Sequence, residues 1–241
     1  MKLLWEIEDS DIQKVKEFFD EHKDNALVVR RRERNVEEGF SRFSRDAFWR
    51  EMVVCLMTTQ ARAGPNSAVA RFASQEPFPL RFRECQQRRS LKSFAQRTLA
   101  RGGIRRNITI SEQIHDNFRW LEKQGGWEEV KKVFRETRKN PTLEMETEAA
   151  DFIDHCLKDC FGPKQSRNLL QGLGLTKYEI PIDSRITKWL KDFGFPVTLS
   201  ADALGDLEYY KFVSRGFREL CDACDMYPCV LDAAIFSSFD S

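Results

Sequence analysis

The sequence predicts an all-α protein, and three observations predict it. Apolar residues recur at helical spacing through most of the chain. Strand-like alternation is scarce, with Leu27-Val28-Val29 the one fair candidate, and a short one. Turn-forming pairs punctuate the rest at Gly64-Pro65, Glu76-Pro77-Phe78-Pro79, Gly102-Gly103, Gly125-Gly126 and Asn140-Pro141. About ten helices with short connections are expected, without internal repeats or low-complexity linkers.

In chain order, Ile12, Val15, Phe18 and Phe19 mark a first helix. A second starts near Ser44 or Asp46 and runs through Phe48, Met52, Cys55 and Leu56 to about Thr59. Ile114, Phe118 and Leu121 mark another, and Val130, Val133 and Phe134 the next. Ala149, Ala150, Phe152, Ile153, Cys156 and Leu157 give a helix ending near Lys158. The tight turn Asp159-Cys160-Phe161-Gly162 follows, and Pro163 suits the first turn of a new helix, having no N–H to lose there. That helix carries Leu169, Leu170 and Leu173 inward and ends at Gly172 or Gly174. Asp183 reads as the N-cap of a third helix, with Ile186, Trp189, Leu190 and Phe193 inward and Gly194 as its stop. A short turn opening a helix points backbone N–H groups outward at the positive end of the helix dipole, a ready site for one phosphate.

Composition narrows the class. With 32% charged and 41% hydrophobic residues, 12 Gly and 8 Pro, the 241 residues exclude disordered, collagen-like and disulfide-framework proteins. The longest apolar run, Met52 to Met57, falls far short of the roughly 18 residues of a membrane helix. The first residues turn acidic at once, and seven cysteines, an odd number, fit reduced thiols. The expectation is a soluble intracellular protein, in cytoplasm or nucleoid if the source is prokaryotic. The net charge is +1, but nine Lys/Arg against one acid lie between Arg81 and Arg106, and eight acids against three bases between Ser200 and Ser241. Such asymmetry fits a polyanion-binding face, and an ordinary solvated basic face as well.

Gly162-Pro163-Lys164-Gln165-Ser166, followed by Ile180-Pro181-Ile182-Asp183-Ser184-Arg185, resembles the signature of the helix–hairpin–helix DNA glycosylases that have a Gly/Pro-rich loop and a catalytic Asp. The lysine-bearing branches are closest, those of endonuclease III and of the 8-oxoguanine DNA glycosylases. Phe48 to Gln60, ending Thr58-Thr59-Gln60, resembles the family's early helix, and Leu231-Asp232-Ala233-Ala234-Ile235-Phe236 is similar to the closing helix of the archaeal-type 8-oxoguanine enzymes. The resemblance covers roughly residues 45 to 241. It implies two helical lobes with a cleft between them, one of residues 46–174 and one of residues 1–45 plus 175–241.

It also implies a bifunctional glycosylase/AP lyase acting as a monomer on double-stranded DNA that carries a damaged base, with 8-oxoguanine favoured. Lys164 would be the nucleophile and Asp183 the carboxylate that stabilises positive charge building on the sugar. A helix N-terminus favours an ionised carboxylate and disfavours a protonated amine, which suits both roles. Gly162 and the backbone N–H groups up to Ser166, in the run Gly162, Pro163, Gln165 and Ser166, would hold a phosphate of the DNA; Gln60 would fill the hole left by the flipped base, and Arg62 would bind DNA. Asn168, Phe236 and Phe239 would face the base. Hairpin carbonyls would offer a monovalent-cation site, although Cys160 stands where many relatives have Gly. Cys221, Cys224 and Cys229 have three of the four thiols an endonuclease III-type iron–sulfur loop needs, with Ser214 at the remaining position. No cluster, no other metal and no further cofactor is therefore expected. Three alternatives stay open on sequence: an oxidised-pyrimidine glycosylase of the same fold, a non-catalytic DNA-binding hairpin module, and a helical scaffold.

Overall fold

A computed structural model of the chain describes residues 5–38, 43–59, 64, 66–157, 160–200 and 202–239. Among these residues every regular element is helical. The order is α1 (Asp9–His22), α2 (Ala26–Arg32) running into a π-helical turn (Glu33–Glu37), α3 (Arg45–Thr58), α4 (Ala68–Ala73), α5 (Phe82–Gln86), α6 (Leu91–Arg101), α7 (Asn107–Lys123), α8 (Gly126–Lys139), α9 (Leu143–Cys156), α10 (Pro163–Gly172), α11 (Ser184–Phe193), α12 (Leu207–Ala223) and α13 (Pro228–Ser238). A short 3-10 turn, Ala203–Gly205, precedes α12.

The expected strand at Leu27-Val28-Val29 is instead part of α2. Asn25 caps it, its side chain accepting from the N–H of Leu27 at 2.9 Å. Val28 alone of the three is buried, which is a helical pattern of burial, and Arg30, Arg31 and Arg32 complement the dipole in the last turn. The helix beginning near Ser44 starts as expected, with Ser44 Oγ accepting from the N–H of Ala47.

Buried apolar residues fall in two clusters. The first runs from Phe48 to Leu175 and draws on α3 to α10. Trp49 lies at its centre, its indole N–H donating to the carbonyl of Leu80 at 2.7 Å between the edges of Phe82 and Phe118. The second joins Val15 of α1 and Val28 of α2 to residues from Ile180 through Ile235. The chain's first helices thus pack with its last.

Polar groups stitch the seam between the clusters. Asn35, in the π-helical turn, donates through Nδ2 to the carbonyls of Gln171 (3.1 Å) and Thr176 (2.7 Å). Arg34 donates to the carbonyl of Gln171 as well. Gly174 turns there at φ +72, and a Cβ at that position would stand 3.1 Å from the Arg34 side chain, so both conformation and close approach require glycine.

Arg167 is the largest charged group in the interior, with no exposed surface. Its Nε donates to Glu179 Oε2 at 2.5 Å, its Nη2 to Asp151 Oδ1 at 3.3 Å, and its guanidinium lies 4.9 Å from the Tyr210 ring. Glu179 also accepts from Arg218 of α12 and from the Thr147 hydroxyl. α9, α10 and α12 therefore meet on one buried ionic knot. Replacing Arg167 by Met leaves buried carboxylates short of a partner, which costs about 3–5 kcal/mol. A thermal melt of Arg167→Met is expected to fall by roughly 10 °C for a chain of this size; a fall under about 2 °C would mean the pair contributes little.

Candidate functional site

α10 lies between the clusters and is covered on nearly every side. Its partly exposed positions are Gly162 at the cap, Lys164, Asn168 and Gly172, one stripe at a spacing of four. The stripe faces the end of α3, which runs antiparallel beside it. Gln165 Nε2 donates to Thr59 Oγ1 at 2.6 Å, Asn168 Nδ2 to Cys55 Sγ at 3.3 Å, and Gly172 meets the Glu51 carboxyl. Lys164 shares the neighbourhood of Cys55, whose thiol burial pushes well above its usual range while the lysine charge opposes the rise.

The start of α10 is open. Gly162 caps it without a side-chain bond, Pro163 has no N–H, and the first N–H to find a partner is that of Ser166, which donates to the carbonyl of Gly162 at 3.1 Å. The N–H groups of Lys164 and Gln165 have no partner among the described residues. Space beside Gly162 is empty, with no atom within 4 Å of where a Cβ would stand. An anion can therefore approach the helix end closely.

At the hairpin the side chains and the backbone have different surroundings. The Ser166 side chain is wholly buried and its hydroxyl donates back to the Pro163 carbonyl, while Pro163 is itself buried, so neither offers a side chain to DNA. Gln165 is 7% exposed and its amide N–H is engaged by Thr59, so it cannot serve as a surface donor. The physical reason is common to all three: a helix seated between two cores buries these first-turn side chains, and Lys164 and the backbone N–H groups remain for a ligand. Asn168 gives its amide N–H to Cys55. Gln60 and Arg62 lie outside the described residues. Cys160 turns inward, accepting from Asn117 Nδ2 at 3.1 Å and donating to the carbonyl of Leu157.

Asp183 caps α11 as expected, accepting from the N–H groups of Arg185 (2.8 Å) and Ile186 (3.1 Å). Both bonds fall on Oδ1, and Oδ2 has no partner among the described residues. What places this carboxylate is the loop before it. Glu146 of α9 accepts from three successive N–H groups, those of Lys177 (2.9 Å), Tyr178 (2.8 Å) and Glu179 (2.9 Å). Tyr210 of α12 donates to the carbonyl of Ile180 and accepts from the N–H of Ile182, both at 2.7 Å. Five of the six loop residues 177–182 are thus pinned from two helices before Asp183 is reached.

α10 and α13 are joined by a buried hydrogen bond. Gln171, two turns on from Lys164 near the same face, donates to Asp232 Oδ2 at 3.0 Å, and Arg31 Nη1 donates to the same oxygen at 3.0 Å. Burial pushes the Asp232 carboxyl up to about 6, against the Arg31 guanidinium, and the charge of nearby Asp183 adds to the rise. Asp232 was not among the residues expected from sequence. Its signal was a lone acid inside the apolar run Val230-Leu231-Asp232-Ala233-Ala234-Ile235. Phe236, one turn later, is half-buried with the Arg185 guanidinium 3.7 Å over its ring, so one face is already covered. Phe239 is exposed, with Lys188 above it at 5.9 Å.

Two cavities border this region. One of about 1020 Å³ opens at the far end of α10, walled by Glu51, Gly172, Arg34 and Phe82, away from Lys164. Another of about 570 Å³ lies beside Thr59, Gly103, Arg105 and Arg106. In the basic segment, Arg81 and Arg88 pair with Glu84 and Lys92 with Glu112. Arg105 and Arg106 have no ion pair among the described residues and stand next to Ile108, which is 58% exposed. The thiols of Cys221 and Cys229 are buried, and burial pushes both up, Cys229 to about 12. Ser214 is buried too, accepting from Arg218 at 2.8 Å.

The Glu146 clamp makes a pH prediction. Burial pushes its carboxyl from 4.5 up to about 7, outweighing the three N–H groups that favour the anion. Between those values the folded protein binds more protons than the unfolded chain, so this group's contribution is full below about 4.5 and lost as pH rises toward 7. Urea midpoints of the wild type are expected to fall across that window, with a smaller fall in Glu146→Gln. An identical pH dependence in the two proteins would remove Glu146 as the source.

Fold and site define an all-helical protein that carries a lysine on an open helix start and a half-free capped carboxylate on the adjoining helix. No family model matches the chain, and no curated protein matches it in sequence. In structure it is similar to the 8-oxoguanine DNA glycosylase of Methanocaldococcus jannaschii, with a TM-score of 0.63 over 95% of this chain and 92% of that one, at 18% identity. At that identity the likeness shows that the two chains share a helical fold.

Proposed function

We propose that this protein is a DNA glycosylase with AP lyase activity that excises an oxidised base, 8-oxoguanine in first place, from double-stranded DNA. The observation that carries the reading is the stripe on α10: Lys164 is the accessible amine beside two open N–H groups, with Asp183 fixed on the next helix. The whole-chain likeness to a structure whose name is that of an 8-oxoguanine DNA glycosylase supports it.

In this reading a phosphate of the damaged strand sits on the open N–H groups of Lys164 and Gln165, next to Gly162. This sets the adjoining sugar beside Lys164. The neutral amine attacks the anomeric carbon as the base departs, and Asp183 Oδ2 offsets the positive charge that develops on the sugar. A Schiff base follows, and β-elimination nicks the strand. The two lobes, residues 46–174 and residues 1–45 plus 175–241, enclose the extruded base between them. Arg105, Arg106 and exposed Ile108 belong to the DNA-facing edge. No redox cofactor is needed, and the protein acts as a monomer.

The test is a lesion panel under single-turnover conditions, with 8-oxoguanine, thymine glycol and undamaged duplexes side by side. Release of 8-oxoguanine is the expected result. Excision of thymine glycol alone would move the protein to oxidised pyrimidines. Salt-dependent DNA binding with no base release at all would leave a non-catalytic hairpin module.

A further inference from the structure

The basic segment leaves a row of arginines on the open side of α6. Leu91, Ala95 and Leu99 of this helix are buried, while Arg97 and Arg101 are exposed on the opposite side. Arg89 before the helix and Arg105 after it are exposed too, so arginines recur here at multiples of four residues. Neither Arg97 nor Arg101 forms a side-chain hydrogen bond or ion pair among the described residues. Other bases of the segment do, Arg81 and Arg88 with Glu84 and Lys92 with Glu112. No Asp or Glu lies in sequence between Glu84 and Glu112. The surface next to Arg101 supplies none either: a cavity of about 200 Å³ there is walled by Phe72, Gln75, Pro79 and Thr98, all uncharged. Like charges one turn apart on a helix repel, so the row weakens α6 and gains from a polyanion laid against it.

The occupant follows from charge, geometry and position. A guanidinium presents a planar fork of N–H donors that matches a phosphate bidentately. Four residues of helix rise about 6 Å, close to the separation of successive phosphates on a strand. The row is also continuous with the proposed site. Past Arg101 the chain turns through Gly102-Gly103 to Arg105 and Arg106, which wall the second cavity together with Thr59. Thr59 in turn holds the Gln165 amide at the open start of α10. From that end α6 leads away for about 16 Å, roughly five base-pair steps of duplex.

We infer that the exposed arginine row of α6, Arg97 and Arg101 continued by Arg89 and Arg105, is a track for the phosphate backbone of duplex DNA outside the lesion. The inference rests on DNA being the partner and goes beyond base removal. Contacts of this kind carry no sequence information; they hold the protein to undamaged duplex and let it slide along it.

The experiment measures binding to a labelled, undamaged duplex by fluorescence anisotropy between about 50 and 200 mM salt. Wild type is compared with Arg97→Gln, Arg101→Gln and Lys92→Gln. The last removes an equal charge from the same helix but on the side where Glu112 pairs with it. The plot of log affinity against log salt is expected to become shallower by about one for each arginine variant and to stay as in wild type for Lys92→Gln. Melting temperatures should be unchanged or slightly higher in the arginine variants, since a repulsion is relieved. Slopes unchanged by both arginine variants would overturn the inference, and so would an equal change in Lys92→Gln, which would mean bulk charge alone. An unchanged slope with loss of self-association in sedimentation would give the row to an acidic protein surface instead. Release of 8-oxoguanine is measured on the same wild-type preparation. Slopes that change as expected with no base release would sink the excision reading and leave the track standing.

Discussion

Lys164→Gln is expected to abolish strand cleavage and base release while leaving binding to abasic DNA within a fewfold of wild type. Lys164 occupies the exposed stripe of α10, and its amine forms no hydrogen bond or ion pair among the described residues, so its loss costs the fold little. The phosphate contact is made by backbone N–H groups, which the substitution keeps. Removing a nucleophile from a covalent mechanism lowers turnover by on the order of 10³-fold or more. Single-turnover cleavage of an abasic duplex and a gel-shift titration, run on the same preparation, check the two halves. Residual cleavage within tenfold of wild type would show that Lys164 is not the nucleophile. Binding lost together with cleavage would mean that the lysine holds phosphate.

Asp183→Asn separates catalysis from capping. Asn caps a helix about as well as Asp, so the N–H groups of Arg185 and Ile186 keep an acceptor and stability changes by less than about 1 kcal/mol. The charge facing the sugar is lost, and removal of one electrostatic stabiliser costs on the order of 10²–10³ in rate. Base release should fall by that factor at an unchanged melting temperature. A rate unchanged in Asp183→Asn would reduce Asp183 to a plain N-cap. A large fall in melting temperature would make the rate uninterpretable for this residue, and the pinned loop before it predicts that none occurs.

Much of this arrangement is legible in the sequence because its signals are local. Pro163 at a first turn, Asp183 as a cap and Gly194 as a stop each follow from backbone chemistry within one turn of helix, and α10 and α11 begin and end close to the expected places. The segment at Leu27-Val28-Val29 misleads because β-branched residues favour strands only when no cap and no neighbouring core decide otherwise; Asn25 and the second cluster decide for helix.

What was less legible is the support around the site. Glu146 reaches 31 to 33 residues ahead to pin the loop, and Gln171 reaches 61 residues to Asp232. Contacts of that range leave only an indirect trace, a charged or polar residue on an otherwise apolar face. Glu146 lies on the same face as Ala149, Ala150 and Ile153, and Arg167 sits within a helix whose leucines face inward. Read that way, both anomalies mark the knot that positions the loop before Asp183. The burial of Gln165 and Ser166 was not visible, because the periodicity of α10 shows one apolar face whereas the folded protein covers several.

The most direct test of the central claim, that Lys164 attacks the sugar of a nucleotide carrying an oxidised base, is borohydride trapping on a labelled duplex with a single intact 8-oxoguanine. The base must be intact, because many protein amines trap a pre-formed abasic site. The account predicts one covalent adduct, mapped by peptide mass to Lys164 and absent from the thymine-glycol and undamaged controls. An adduct mapped to another residue, or no adduct while 8-oxoguanine is released, would contradict it.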